Sequence, residues 1–314
     1  MLTLSGIVSA PALPMFPDGS IDWASLATYM QWIVGQKPAA IAMNMDASEG
    51  PSLEEYEQLA VLRVCRDIIA GSCPLISGLI AGSTAAAVRR GHALKSAGAQ
   101  GLAVFPPFPT FLGNPVPADM IYRFHKEIAD GVGLPLVAFQ FPKAWGPDFP
   151  PETLALLASI PEIVGLKEAS FDTTKTVETI AAAKALPRRI AIMTGSDTFI
   201  LEAMILGCDG ALIGFAGTAV AELVDMHRRV AQRDYDGAAL IWQKLGPLAR
   251  YCWRAPLRDY RPRIKEVLKL QGLIEHAAVR APQLGVDDAE RAELARLATQ
   301  AGLLAATARK SGGD

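Results

Sequence analysis

"IVGLKEASF", residues 163–171, decides the fold. Ile163, Val164 and Leu166 are apolar and Gly165 is small, the pattern of a parallel strand covered on both faces. Lys167 closes that run, and an ammonium group is costly in a strand buried on both sides. A strand end that opens into the mouth of a barrel resolves the conflict, because side chains there reach a water-accessible cavity.

Seven further runs of the same kind surround it. They are "GIVSAPAL" from Gly6, "AAIAMNM" from Ala39, "PLISGLI" from Pro74, "GLAVFPP" from Gly101, "LPLVAFQF" from Leu134, "RIAIMTG" from Arg189 and "GALIGFAG" from Gly210. None alternates with polar residues, which suits parallel strands. Amphipathic stretches lie between them. The first places Trp23, Ala27, Met30 and Val34 on one face after a Ser20 cap. The second places Leu53, Tyr56, Ala60 and Val64 on one face after an S-x-x-E capping box of Ser52 and Glu55. Eight strand–helix alternations predict an α/β fold, a (β/α)8 TIM barrel. A doubly wound sheet competes, but no G-x-G-x-x-G follows the first strand. After residue 224 the strand pattern stops. Segments 235–245, 263–271 and 287–306 have helical character, so residues 1–224 are expected to form the barrel and 225–314 a C-terminal helical extension.

Bulk properties narrow the function. The chain has 314 residues, 51% of them hydrophobic, and a formal net charge of −2, which suits a compact protein with a large core. No basic stripe points to nucleic acid. The uncharged stretch 97–118 is broken by Pro106, Pro107, Pro109, Pro115 and Pro117, so it is not read as a membrane helix. Four scattered cysteines and an N-terminal stretch unlike a signal peptide lead to a cytoplasmic expectation. The tail "KSGGD" is expected to be frayed. His92, His125, His227 and His276 show no metal-ligand spacing, so neither a metal nor any other cofactor is expected.

The chemistry of a barrel gathers at the C-terminal ends of its strands, and Lys167 is at such an end. A desolvated lysine is more often neutral, and a neutral amine attacks a ketone to form a Schiff base that acts as an electron sink. The bland alternative pairs Lys167 with Glu168, but adjacent strand residues point to opposite faces.

"GLKEAS" at residues 165–170 resembles the Schiff-base segment of the dihydrodipicolinate synthase and N-acetylneuraminate lyase family, class I aldolases of pyruvate and other 2-oxo acids. "PMFPDGSID" from Pro14, "EGPSLEEYEQL" from Glu49, "TGSDTFIL" from Thr194, "GCDGALIG" from Gly207 and "IKEVLKLQGL" from Ile264 are similar to further landmarks of that family, so the likeness runs nearly full length. The resemblance implies a (β/α)8 barrel with a helical extension, usually assembled as a homotetramer; a homotetramer or dimer is expected. It also implies catalysis at Lys167 and a substrate pocket at Asp46, Ala47, Ser48, Phe108, Lys143, Gly195 and Ile213.

The departures are informative. The family's Gly-Thr-Thr-Gly-Glu falls on Met45-Asp46-Ala47-Ser48-Glu49, so both threonines are absent. An ionised Asp46 facing the site would repel a substrate carboxylate, whereas backbone N–H groups at Ala47 and Ser48 could still hold one. Phe139 stands at the position of the family's proton-relaying tyrosine. Phe108 or Pro109 stands at that of a second tyrosine, and Ala144 at that of the synthases' substrate-binding arginine, beside Lys143 and Trp145. The loops at Gly195–Ser196 and Gly214–Thr218 are read as shaping the pocket rather than binding phosphate. Phe105, Phe108, Phe111, Phe139, Phe141 and Trp145 favour a substrate with an apolar or aromatic part. The expectation is a lyase or aldolase of a 2-oxo acid acting through Lys167, and not a lysine-biosynthesis synthase. The alternatives are a genuine 4-hydroxy-tetrahydrodipicolinate synthase and a non-catalytic binding protein on a decayed aldolase scaffold.

Overall fold

The computed structural model describes residues 2–304. Eight parallel strands close into a barrel in sequence order: β1 Gly6–Ser9, β2 Ala40–Met43, β3 Leu75–Leu79, β4 Gly101–Val104, β5 Leu136–Gln140, β6 Ile163–Glu168, β7 Ala191–Thr194 and β8 Gly210–Ile213. Each lies within one of the eight apolar runs. Almost every strand residue is buried, as strands sandwiched between barrel interior and helix ring must be. The helices of the ring are α1 Trp23–Gly35, α2 Glu55–Ile69, α3 Thr84–Ala97, α4 Ala118–Val132, α5 Pro151–Ala158, α6 Thr173–Lys184, α7 Ile200–Leu206 and α8 Val220–Ala231. The extension adds α9 Tyr235–Cys252, α10 Tyr260–Leu270 and α11 Asp288–Gln300. Helix α8 runs across residue 224, so the ring is completed a turn or two beyond that point. Residues 305–306 of the last expected helix and the "KSGGD" tail lie outside the described residues. No helix among the described residues is long and apolar enough to cross a membrane.

The helix starts differ from the sequence patterns. Asp22, not Ser20, caps α1, its carboxylate accepting from the Ser25 N–H at 3.0 Å. The ring-facing residues of α1 are Leu26, Tyr29, Met30 and Ile33, while Trp23 is exposed. The capping box of α2 is Glu54 with Glu57, because a short 3-10 turn at Gly50–Ser52 delays the helix past Ser52. Its buried face is Val61, Leu62, Cys65 and Ile69, and Tyr56 is exposed. In both cases an aromatic residue in the first turn overhangs the ring rather than entering it.

The extension is fastened to the barrel by a buried charge cluster. Lys265 of α10 donates to the Glu49 carboxylate and, at 2.6 Å, to the Ala278 carbonyl. The other Glu49 oxygen accepts from the Arg280 N–H at 2.8 Å. Arg280 in turn pairs with Glu57 and reaches the Gly19 carbonyl. Each buried charge therefore has partners, the condition under which it is tolerated. This clasp holds α10 over the C-terminal ends of the strands.

Candidate active site

Lys167 and Glu168 illustrate the strand's period of two. Glu168 points outward, where its carboxylate accepts from Gln140 Nε2 at 3.2 Å, the Ser170 N–H at 2.9 Å and Thr176 Oγ1 at 2.6 Å. It is fully engaged there and makes no pair with Lys167. Lys167 points inward and is only 8% exposed. Its Nζ makes no hydrogen bond and no ion pair with any described residue. It lies 4.2 Å from the centroid of the Phe139 ring, its neighbour by register on β5. Burial pushes the Lys167 ammonium down to about 8, against the opposing pull of the Asp197 and Asp46 charges.

Gly195, at the end of β7, makes room for this lysine. A Cβ there would lie 2.8 Å from Lys167 Cε and 2.7 Å from Ala169 Cβ. Two residues on, Asp197 is buried, and its Oδ1 accepts from the Phe215 N–H at 2.7 Å. Burial pushes its carboxyl up to about 7, while that hydrogen bond and the Lys167 charge oppose the rise. Asp197 was not among the expected site residues, although "TGSDTFIL" puts it at a strand end.

The turn after β2 supplies a different kind of binding group. Asn44 takes a left-handed conformation, φ 56°, and its Nδ2 donates to Ser77 Oγ at 3.0 Å. Gly50 must be glycine here, since a Cβ would fall 2.1 Å from the Asn44 carbonyl oxygen. The tight turn leaves the N–H groups of Ala47 and Ser48 without an acceptor among the described residues, although both residues are buried. Two adjacent, free backbone donors suit a carboxylate. The Ser48 hydroxyl is not part of this arrangement, because it donates to the Met45 carbonyl within the turn.

Asp46 lines the same cavity, but its charge is balanced. One carboxylate oxygen accepts from Arg261 and the other from the Tyr260 hydroxyl at 2.7 Å. Arg261 also donates to the Asp46 carbonyl at 2.8 Å. The repulsion expected between Asp46 and an anionic substrate is thereby offset by an adjacent guanidinium. Tyr260 and Arg261 come from α10, far from Lys167 in sequence, and no local pattern distinguished them.

The cavity has two chambers. The inner one, about 100 Å³, lies between Lys167, Phe139, Ala47, Gly195, Asp197 and Tyr260. The outer one, about 930 Å³, is lined by Phe111, Phe141, Ala144, Trp145, Trp253 and Leu257, with Arg258 and Arg261 at its polar side. Phe139 stacks on Phe141 at 4.2 Å, and Phe111 meets Phe141 edge-on at 5.5 Å, so one aromatic wall runs from the inner chamber into the outer. Three expected pocket residues lie elsewhere. Phe108 sits in a short 3-10 turn and is 65% exposed, with Phe105 packed on Phe139 in its stead. Lys143 borders a separate cleft with Asn114 and Asp148, turned away by the bend after β5. Ile213 is buried in the barrel wall, its carbonyl accepting from the Ala10 N–H, and Gly214 lines the cavity instead.

A desolvated lysine at a strand end of a (β/α)8 barrel, beside two free backbone N–H groups, is the arrangement of a class I lyase of the aldolase type. The comparisons agree and are more particular. The model of the dihydrodipicolinate synthetase family matches residues 3–301, and the chain belongs to that family. The 4-hydroxy-tetrahydrodipicolinate synthase of Dechloromonas aromatica (strain RCB) is 28% identical over 305 residues, covering 96% of this chain and 100% of the relative. That of Cellvibrio japonicus (strain Ueda107) is 30% identical over 245 residues, 78% of this chain and 82% of the relative. The crystal structure of the chloride-inhibited dihydrodipicolinate synthase of Acinetobacter baumannii with pyruvate superposes with a TM-score of 0.86 at 27% identity, covering 96% of this chain and 100% of that one.

Proposed function

We propose that the protein is a lyase that binds a 2-oxo acid covalently through Lys167, holds its carboxylate at the Ala47 and Ser48 N–H groups, and lodges a bulky apolar part in the outer chamber. The observation that carries this reading is the unpartnered, buried Lys167 amine at the floor of the inner chamber. An ammonium kept from water with no acceptor loses stability relative to the neutral amine, and the neutral amine is the nucleophile. The pyruvate in the related Acinetobacter structure supports the choice of a 2-oxo acid. The barrel supplies the lysine, the extension closes the cavity with Trp253, Leu257 and Tyr260, and the proposed assembly is a homotetramer or dimer.

A role in lysine biosynthesis is a second reading, favoured by the names of the curated relatives. Ala144 in the outer chamber and Phe139 above Lys167 weigh against it, since neither offers the charge or the hydroxyl that the family's synthases use there. The test is incubation with a panel of 2-oxo acids that differ in the size of the C4 substituent, followed by borohydride and intact-mass measurement. Adducts that form with bulky aromatic members as readily as with pyruvate support the first reading. Adducts with pyruvate alone support the second.

A further inference from the structure

A Schiff-base enzyme needs a group that moves protons between the amine nitrogen and the carbonyl oxygen, and Phe139 has no hydroxyl for this. Among the described residues that line the inner chamber, Tyr260 carries the only hydroxyl. Its phenol donates to Asp46 at 2.7 Å, and its ring stacks on Trp253 at 4.8 Å, so both the oxygen and the plane of the ring are fixed. Asp46 is held in turn by Arg261. The phenol is buried, and burial with the nearby Asp46 charge keeps it protonated. A neutral phenol that is hydrogen-bonded to a carboxylate and lines a cavity that also contains an amine can serve as a two-step proton carrier.

We propose that Tyr260 and Asp46 are the proton relay of this site, a catalytic pair supplied jointly by the extension and the turn after β2; the assignment rests on the lysine reading above. Attack of the neutral Lys167 amine on the C2 carbonyl forms the N–C bond and leaves a cationic nitrogen and an anionic oxygen. The nitrogen gives a proton to the Tyr260 oxygen as the phenolic proton passes to Asp46. The reverse transfer then delivers that proton to the substrate oxygen, so a neutral carbinolamine forms and the pair is restored. The hydroxyl takes one solvent proton and leaves as water as the nitrogen lone pair closes the C=N bond. The pair thus supplies from α10 the hydroxyl that Phe139 of β5 does not carry.

The test uses Tyr260→Phe, which keeps the stack on Trp253, together with Tyr260→Phe/Phe139→Tyr, in the full chain. Pyruvate is the probe. Two rates are measured: reductive trapping at Lys167 by intact mass, and exchange of the pyruvate methyl protons in deuterated water by NMR. Whether the wild type is trapped at Lys167 at all reports on the lysine, and the ratio of variant to wild-type rate reports on the relay. Tyr260→Phe is expected to slow both rates by about 10²–10⁴-fold, and a tyrosine at 139 is expected to restore at least about tenfold. Rates for Tyr260→Phe within about threefold of wild type overturn the relay and leave the lysine reading standing. A loss that Phe139→Tyr does not repair assigns Tyr260 a structural role and also overturns it. Failure of wild-type trapping overturns both.

Discussion

The pH dependence of amine reactivity follows directly from the burial of Lys167. The side chain is 8% exposed, and burial outweighs the attraction of Asp197 and Asp46, bringing its pKa down to about 8. Against an ordinary lysine value of about 10.4, this is about 3 kcal/mol of differential interaction in favour of the neutral amine. At pH 7 the neutral fraction rises from about 0.04% to about 10%, roughly 250-fold. The lowered value means that the neutral form is favoured in the folded protein, so trapping should increase with pH and level off above about 8 rather than above 10. Asp197→Asn removes a negative charge that favours the ammonium, so the midpoint should move to lower pH. The assay is the initial rate of pyruvate trapping with cyanoborohydride between pH 5.5 and 10.5, fitted to a single titration, the range chosen to bracket about 8 and about 10. A midpoint at or above about 10 refutes the argument, as does an upward shift in Asp197→Asn.

Gly195→Ala sets a methyl against both Lys167 and the rigid Ala169 Cβ, so it should push Lys167 aside and also strain the strand end; trapping should fall about a hundredfold or more and the thermal midpoint should drop with it. Glu49→Gln leaves the Lys265 ammonium buried without its counter-charge, so chemical denaturation should reveal a loss of about 3–5 kcal/mol. Expression of the protein in a lysine auxotroph that lacks its synthase should fail to restore growth. A missing charge-assisted contact at Ala144 costs about ten- to a hundredfold, and efficient growth at ordinary expression would count against the substrate assignment.

The fold was legible because barrel strands are buried on both faces. Eight apolar runs of strand length, separated by amphipathic segments, leave little room for another architecture. Lys167 was legible for the complementary reason, as the residue that violates the pattern. The helix faces were less so: Trp23 and Tyr56 are large and apolar but stand in first turns, where a side chain can overhang the ring. Asp46, Ala47 and Gly195, expected from the family resemblance, line the cavity, and Asp197 lies two residues past Gly195 at the same strand end. Phe108 and Lys143 were misplaced because the bends after β4 and β5 set direction, and nothing in the residue order fixes how a loop turns. Tyr260 and Arg261 carried no local signal at all. Their place in the site depends on how the Glu49–Lys265 clasp sets α10 over the barrel mouth, which is a long-range property.

The central claim is that one buried amine forms the covalent bond. Wild-type protein and Lys167→Ala are incubated with pyruvate and borohydride, digested, and the modified peptide is identified by tandem mass spectrometry. The account predicts a single reduced pyruvyl adduct on Lys167 in the wild type and none anywhere in Lys167→Ala. Label on Lys143 or another lysine that persists in Lys167→Ala, or no label with any 2-oxo acid, would contradict it.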